Sequence, residues 1–356
     1  MSVNKLFEVI KRGKEGRNIG ISTGLPAIDS IIYGIQRKYL YVVAADQGGG
    51  KTSFAIDIFV YNLFKNRGDK NINILYYSFE MSADVIYAKV LSRYIYDNFK
   101  KIITYETILS LTSTISDEDY EYILQSRSWL ENLQKNFTIY DKPLNPAAIY
   151  ATCKTWLSNF GNFVKIDDHR EDYIEHDTSS YKIALLDHMR LISGNESVKT
   201  KIDLVCDYFV YFRNKCSMTG VFIQQINRNS KSVERKTGGY ELLQLDDLAD
   251  SSGPAQSAEV VIMLYFPYRE KIARCEGYNI VSGLKQKGRI LQICKNRYGR
   301  SDVNKGLVFH GEVGLFKELP RPEEIGDYES HLQLDYEKEL DEKQKEDEEN
   351  ENVFKF

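Results

Sequence analysis

Three consecutive glycines, Gly48, Gly49 and Gly50, are followed directly by Lys51 and Thr52 and preceded by an apolar run. Residues of these types in this order suit polyphosphate chemistry. Glycines let successive backbone N–H groups converge on phosphate oxygens without Cβ clashes. A helix opening at Lys51 aims its positive dipole end at the same point, and the lysine ammonium adds a charge for the β and γ phosphates. The hydroxyl of Thr52 suits a Mg²⁺ ion. The segment from Ala45 to Thr52 matches the phosphate-loop pattern G-x-x-x-x-G-K-[ST] except at its first position, where Ala45 stands. The residues expected to hold a nucleotide are Gln47, Gly48, Gly49, Gly50, Lys51, Thr52 and Ser53.

Turnover of a nucleotide also needs a carboxylate on the metal side and a base that activates water. Asp187 closes the apolar run IALLD, and Glu80 closes ILYYSFE. The carboxyl end of a parallel strand opens on the crevice that a phosphate loop lines, so Asp187 is expected beside Mg²⁺ and Glu80 beside the attacking water. Gln225, closing GVFIQQI, suits a γ-phosphate sensor. Gln224 is its rival, because strand alternation sends the two side chains to opposite faces and only one can point at the nucleotide.

These groups must be carried by a sheet. Apolar runs at 39–44, 72–79, 182–188, 220–226 and 259–266 alternate with helical stretches, which indicates an α/β fold with a mainly parallel sheet covered by helices on both faces. A helix is expected from Lys51 to Lys65 with Phe54, Ile58 and Leu63 facing inward, and a short helix from near Leu25. Residues 81–180 read as added helices and one short strand, NFTIYD, flanking the sheet, with 163–180 a polar loop. Near the amino terminus Val3, Leu6, Phe7 and Ile10 share one face of a helix too short to fold alone, so it needs a surface to lie on.

The chain has 356 residues, of which 42% are hydrophobic, enough for a sizeable core. No apolar run approaches the roughly 20 residues that cross a bilayer, and the first residues lack the pattern of a secretory signal, so a cytoplasmic protein with no membrane contact is expected. Five cysteines without a C-x-x-C pair and five histidines without i, i+4 spacing argue against a disulfide framework or a His-based metal site. The net charge of −4 hides an asymmetry: residues 335–356 hold ten acids and four lysines, a sum of −6, which leaves +2 for the rest. A nearly neutral body implies that nucleic acid would be met by local clusters. The region from 321 onward reads as an acidic flexible tail. Its end, Val353, Phe354 and Phe356, fits either a partner pocket or a solubilising segment.

The order of STGLPAIDSIIYGI, the phosphate loop, YYSFEMS, LLDHMRLISG, FIQQINRNS, LADSSGPAQSAEVVIMLY and ICKNRYGRSD resembles the DnaB-type hexameric replicative DNA helicases, especially their tailed-phage members, across residues 19–319. That resemblance implies a RecA-like P-loop NTPase over 19–320 and a linker helix in 1–18 that docks on a neighbouring subunit. It implies an ATP-hydrolysing (or other NTP-hydrolysing) Mg²⁺-dependent ring, expected to be a hexamer, that moves 5′ to 3′ on single-stranded DNA. Within it Lys51 and Thr52 bind phosphate and Mg²⁺, Glu80 is the base, Asp187 the metal-side acid and Gln225 the sensor. Lys295 and Arg297 reach the nucleotide of the adjacent subunit, Arg297 as an arginine finger. DNA contacts are expected from Arg228, Lys231, Arg235 and Lys236 after the fourth strand and from Lys199 and Lys201 after the third. Primase, loader and polymerase contacts are implied partners, the last through the acidic tail. His188 and Arg190 stand where the family often has Tyr and Gln. Competing readings are a RecA-like recombinase, which would share this core, and a nucleotide-gated adaptor that binds protein.

Overall fold

The structure, a computed structural model, describes residues 3–16, 18–112, 114–167, 170–227 and 242–334. One nine-stranded sheet organises it, in the order β13-β12-β11-β8-β1-β7-β6-β2-β3. The strands expected from the apolar runs are β1 (Leu40–Ala45), β2 (Ile72–Ser78), β6 (Tyr181–Asp187), β7 (Thr219–Gln225) and β8 (Val260–Tyr265). With β3 (Phe137–Tyr140) at the edge they pair in parallel. Each central strand is buried along nearly its whole length, which is why it reads as an unbroken apolar run.

Alternation divides the core into two layers. Leu40, Val42 and Ala44 point into one, with Phe222 and Phe209; Tyr41, Val43 and Ala45 point into the other, with Phe54, Ile58 and Leu63 of the helix after the phosphate loop. That helix runs as α3 (Lys51–Ile56), a π-helical stretch Asp57–Tyr61, and α4 (Asn62–Asn66), so the expected single helix is present with one widened turn. At the widening, the buried carboxylate of Asp57 accepts from Arg93 Nε at 3.1 Å and from the Phe316 amide at 3.0 Å. Burial raises the Asp57 carboxyl against the lowering effect of Arg93. The network ties this helix to α5 (Ala83–Phe99) and to the edge strand that carries Phe316.

Beyond β8 the sheet turns antiparallel through β11 (Gly288–Asn296), β12 (Val303–His310) and β13 (Leu315–Glu318). Two expectations need correction. Residues 163–180 are not a loop: β4 (Gly161–Lys165) and β5 (Glu171–Glu175) form a hairpin in which Phe163 pairs with Tyr173. Only one face of this hairpin packs, with the Tyr173 hydroxyl donating to Leu157 O at 2.8 Å, so charged residues dominate its sequence and hide the strand period. The flexible tail does not begin at 321 either. Residues Glu329–Leu332 are helical, and Leu332 and Leu334 are buried, Leu334 against Tyr96, Val313 and Leu315. Two leucines suffice to anchor an otherwise acidic stretch. The acidic run and its Phe end, 335–356, lie outside the described residues. At the other end α1 (Val3–Lys14) forms as expected, with Val3, Leu6, Phe7 and Ile10 all at least half exposed.

Candidate nucleotide and nucleic-acid site

The phosphate loop leaves the carboxyl end of β1 and turns at once into α3. Gly48 and Gly50 hold φ of 73° and 96°, in the left-handed region where a side chain is strained. A Cβ on Gly49 would stand 3.0 Å from Asp46 O and from the Ala45 side chain. Ala45 is wholly buried under the loop, so an alanine at the first motif position is accommodated as the last residue of the strand. Gln47 is exposed at the loop's tip, while Lys51 and Thr52 are mostly buried at the start of α3, with Ser53 partly exposed beside them. The loop's backbone N–H groups and the start of α3 thus lie together, an arrangement suited to an anion.

Across from it, at the end of β6, Asp187 is 2% exposed. Its Oδ2 accepts from the Tyr76 hydroxyl at 2.9 Å, and its Oδ1 is buried without a hydrogen-bond partner. Burial pushes this carboxyl up to about 6, against the lowering effects of the Thr52 hydroxyl, Tyr76 and Lys51. An orphaned buried carboxylate oxygen next to a threonine hydroxyl at a phosphate loop is the donor set that Mg²⁺ takes when phosphate oxygens and water complete its shell. Asp187 and Thr52 therefore fit that ion. Among the described residues no group of three or more His, Cys, Asp or Glu side chains could hold a metal by itself.

Glu80 follows β2, largely solvent-facing, with Oε2 3.8 Å from His188 Nε2. His188 is buried, and burial followed by the nearby Lys51 charge lowers its basicity, so near neutral pH it is a neutral neighbour of Glu80. Register separates the two glutamines. Ala45 pairs with Gln225, and Asp187 with Ile223. Gln225 therefore lies on the face of Asp187 and α3, whereas Gln224 points to the opposite layer, where its Nε2 donates to Ser251 O at 2.8 Å and to Ala249 O.

Lys295 and Arg297 lie elsewhere. β11 runs antiparallel to β8, so its end sits beside the start of β8, at the edge of the sheet opposite the phosphate loop. Lys295 Nζ donates to Ala255 O and Gln256 O at 2.8 and 2.9 Å. Arg297, 44% exposed, donates to Glu259 Oε1 at 3.1 Å. Glu259 is itself buried and also takes Arg213 at 2.9 Å and the Leu40 amide at 2.7 Å. Five residue steps of β1, roughly 16 Å, separate this end from the loop.

Of the expected DNA-contacting cations, Arg228, Lys231, Arg235 and Lys236 lie outside the described residues. Lys199 is exposed and paired with Asp203 at 2.6 Å. Lys201 must be reassigned: it is buried, and its ammonium donates to Ile192 O at 2.6 Å, clamping the loop after β6 instead of facing solvent. Sequence reading missed two arginines. Arg269, in the turn after β8, donates to Gln47 O, and Arg289, in β11, donates to Gly49 O at 2.9 Å. The one trace of Arg289 in the sequence is a charge inside the strand GRILQI, where the pattern calls for an apolar residue.

Comparison with known proteins places the chain. Residues 20–318 match the family model described as DnaB-like helicase C terminal domain. The replicative DNA helicase DnaB of Helicobacter pylori strain J99 is 23% identical over 305 residues, covering 84% of this chain and 55% of its own. The same-named protein of Geobacillus stearothermophilus is 24% identical over 311 residues, covering 86% and 58%. The chain thus spans about half the length of the curated relatives it matches. Two solved structures share the fold at 19% identity. One is an ATPase domain, with a TM-score of 0.65 over 90% of this chain and 99% of that one. The other is a DnaB-like replicative helicase described with its primase interactions, with a TM-score of 0.63 over 90% and 67%.

Proposed function

The chain belongs to the DnaB-like helicase C-terminal domain family, and from that premise we propose that it is an ATP-driven replicative DNA helicase, a ring-forming motor on single-stranded DNA. The observation that carries the reading is the separation of Arg297 from the phosphate loop of its own chain. The loop, Asp187 and Glu80 form one half of a phosphoryl-transfer site, and the arginine stands at the opposite sheet edge, half exposed, where it can serve a neighbour's loop but not its own.

In this mechanism the N–H groups of Gly48 to Thr52 and the Lys51 ammonium bind and orient the triphosphate. Asp187 and Thr52 would hold Mg²⁺, which would supply charge neutralisation at the phosphates. Glu80 takes a proton from the attacking water, and the buried neutral His188 limits solvent on its inner side. Gln225, at the end of β7 on the nucleotide's face, senses the γ-phosphate. Its backbone carbonyl accepts from Ala249 N at 2.9 Å, which ties the sensor to the chain that follows residues 228–241, where Arg228, Lys231, Arg235 and Lys236 are assigned DNA contact. Arg297 of the adjacent subunit stabilises charge on the transferring group, a contribution of roughly 10³-fold or more, and Lys295 holds the strand end that presents it.

The exposed apolar face of α1 supports assembly through a neighbouring subunit, since four apolar side chains on one short helix gain nothing in water. A hexamer, movement 5′ to 3′, contacts with primase and loader, and a polymerase contact through 335–356 follow from the family reading. Family membership supports the helicase over strand exchange. The test is DNA-stimulated ATP hydrolysis and unwinding of a forked duplex by the purified protein, with negative-stain imaging in a non-hydrolysable nucleotide. Closed rings with unwinding are expected; filaments that exchange strands, or an active monomer, overturn the reading.

A further inference from the structure

Arg289 is the second residue of β11 and only 4% exposed. Its Nε donates to Gly49 O at 2.9 Å, and its Nη1 donates to Gln286 O and Gly288 O at 2.8 Å each. The guanidinium lies 3.7 Å from the centroid of the Phe266 ring, with Phe309 at 5.4 Å. Burial alone depresses its basicity, to about 10, and among the described residues no carboxylate offsets that effect. The other buried arginine of this region, Arg93, has Asp57 and Asp97. A buried cation held only by neutral carbonyls and rings costs stability unless an anion answers it.

The contact falls on the phosphate loop itself. The Gly49–Gly50 peptide is planar and trans, so its N–H points opposite its carbonyl. With Gly49 O held by Arg289, the Gly50 N–H is turned away from β11 and into the loop. A Cβ on Gly50 would meet the Phe316 and Phe309 rings at 3.3 and 3.4 Å, so these rings stand close against the Gly50 backbone. Arg269 holds the Gln47–Gly48 peptide by the same kind of contact.

We propose that Arg289 is a positioning residue for the nucleotide's phosphates: it orients the Gly50 N–H toward them, and its buried charge is balanced when the triphosphate occupies the loop. The proposal rests on the nucleotide-binding reading above. It carries a sign that a structural brace would not. Without nucleotide the unanswered buried charge offsets what the three hydrogen bonds contribute, so its removal should leave stability unchanged or raised. With nucleotide it contributes, so the stabilisation brought by ligand should shrink.

The full chain is compared with Arg289→Met, which lacks donor and charge, and Arg289→Gln, which keeps an amide donor without charge. The probe is a fluorescent, non-hydrolysable ATP analogue with Mg²⁺, alongside thermal unfolding with and without it. Arg289→Met is expected to weaken binding by about tenfold or more, Arg289→Gln by less, with the nucleotide-free midpoint equal to or above wild type. A lowered nucleotide-free midpoint with affinity within about twofold of wild type makes Arg289 a structural brace and overturns the proposal. If both variants fold poorly, Arg289→Lys, which keeps charge but not the planar fork, is measured; wild-type affinity there overturns it too. Lys51→Ala separates the two claims. If it binds the probe as wild type does, the phosphate-loop reading fails, whereas loss in Lys51→Ala without loss in Arg289→Met sinks the Arg289 proposal alone.

Discussion

Arg289 and Arg297 stand at opposite ends of β11, the first donating to Gly49 of its own phosphate loop and the second to Glu259 at the start of β8. At about 3.3 Å per residue the two guanidinium-bearing positions are roughly 25 Å apart. A single strand, hydrogen-bonded on both sides, thus touches the glycine-rich loop at one end and presents a cation away from it at the other. In a ring, the same strand would span two consecutive sites.

Lys51→Ala removes the charge at the phosphates while leaving the apolar face of α3 intact. ATP turnover is expected to fall by roughly two orders of magnitude or more with an unchanged far-ultraviolet circular dichroism spectrum. Full turnover in a steady-state phosphate-release assay rules out the site.

Arg297→Ala is expected to lose roughly 10³-fold in hydrolysis while binding the ATP analogue as wild type does. Mixing it with Lys51→Ala supplies interfaces that join an intact loop to an intact arginine. Turnover above that of either variant alone is expected, and a mixture as inactive as its parts contradicts a contribution in trans.

Asp187 gives a pH dependence with a definite sign. Its folded carboxyl lies near 6 and its ordinary value is 3.8, so between these values the folded chain holds a proton that the unfolded chain has released. Stability from this group therefore falls as pH rises through the window, by about 3 kcal/mol in all. Asp187→Asn should raise the nucleotide-free unfolding midpoint at about pH 8 and leave it near wild type at about pH 4. Calorimetry at both pH values checks this, and an equal effect at the two contradicts it.

Phe7→Glu places a charge in the exposed face of α1. Light scattering on the eluting protein should show smaller assemblies than wild type with the spectrum of a folded chain. Retention of the wild-type assembly removes α1 from the interface.

Lys201→Met strips the donor that clamps Ile192 O. A loss of about 1–3 kcal/mol is expected, read by urea unfolding, with DNA affinity reduced no more than stability explains. A variant that stays as stable as wild type but loses DNA restores the contact that the sequence suggested.

The sequence by itself determined the chemistry of consecutive residues. The phosphate loop is legible because its ligands are neighbouring backbone N–H groups, whose geometry depends only on local glycines and the strand and helix beside them. The five central strands were legible for a similar reason, since burial on both faces leaves an apolar run that no partner need be known to recognise. Tertiary structure decided everything that depends on pairing. Register, not spacing, put Gln225 with Asp187 and sent Gln224 to the other layer. Strand order placed Arg297 far from its own loop, brought Arg289 against Gly49, and folded Lys201 inward. The β4–β5 hairpin and the leucines at 332 and 334 escaped notice because a segment with one packed face, or two anchoring side chains, carries too little periodicity to outweigh its charges. A side chain's partner across the sheet is chosen by how strands align, and that alignment is a property of the whole fold.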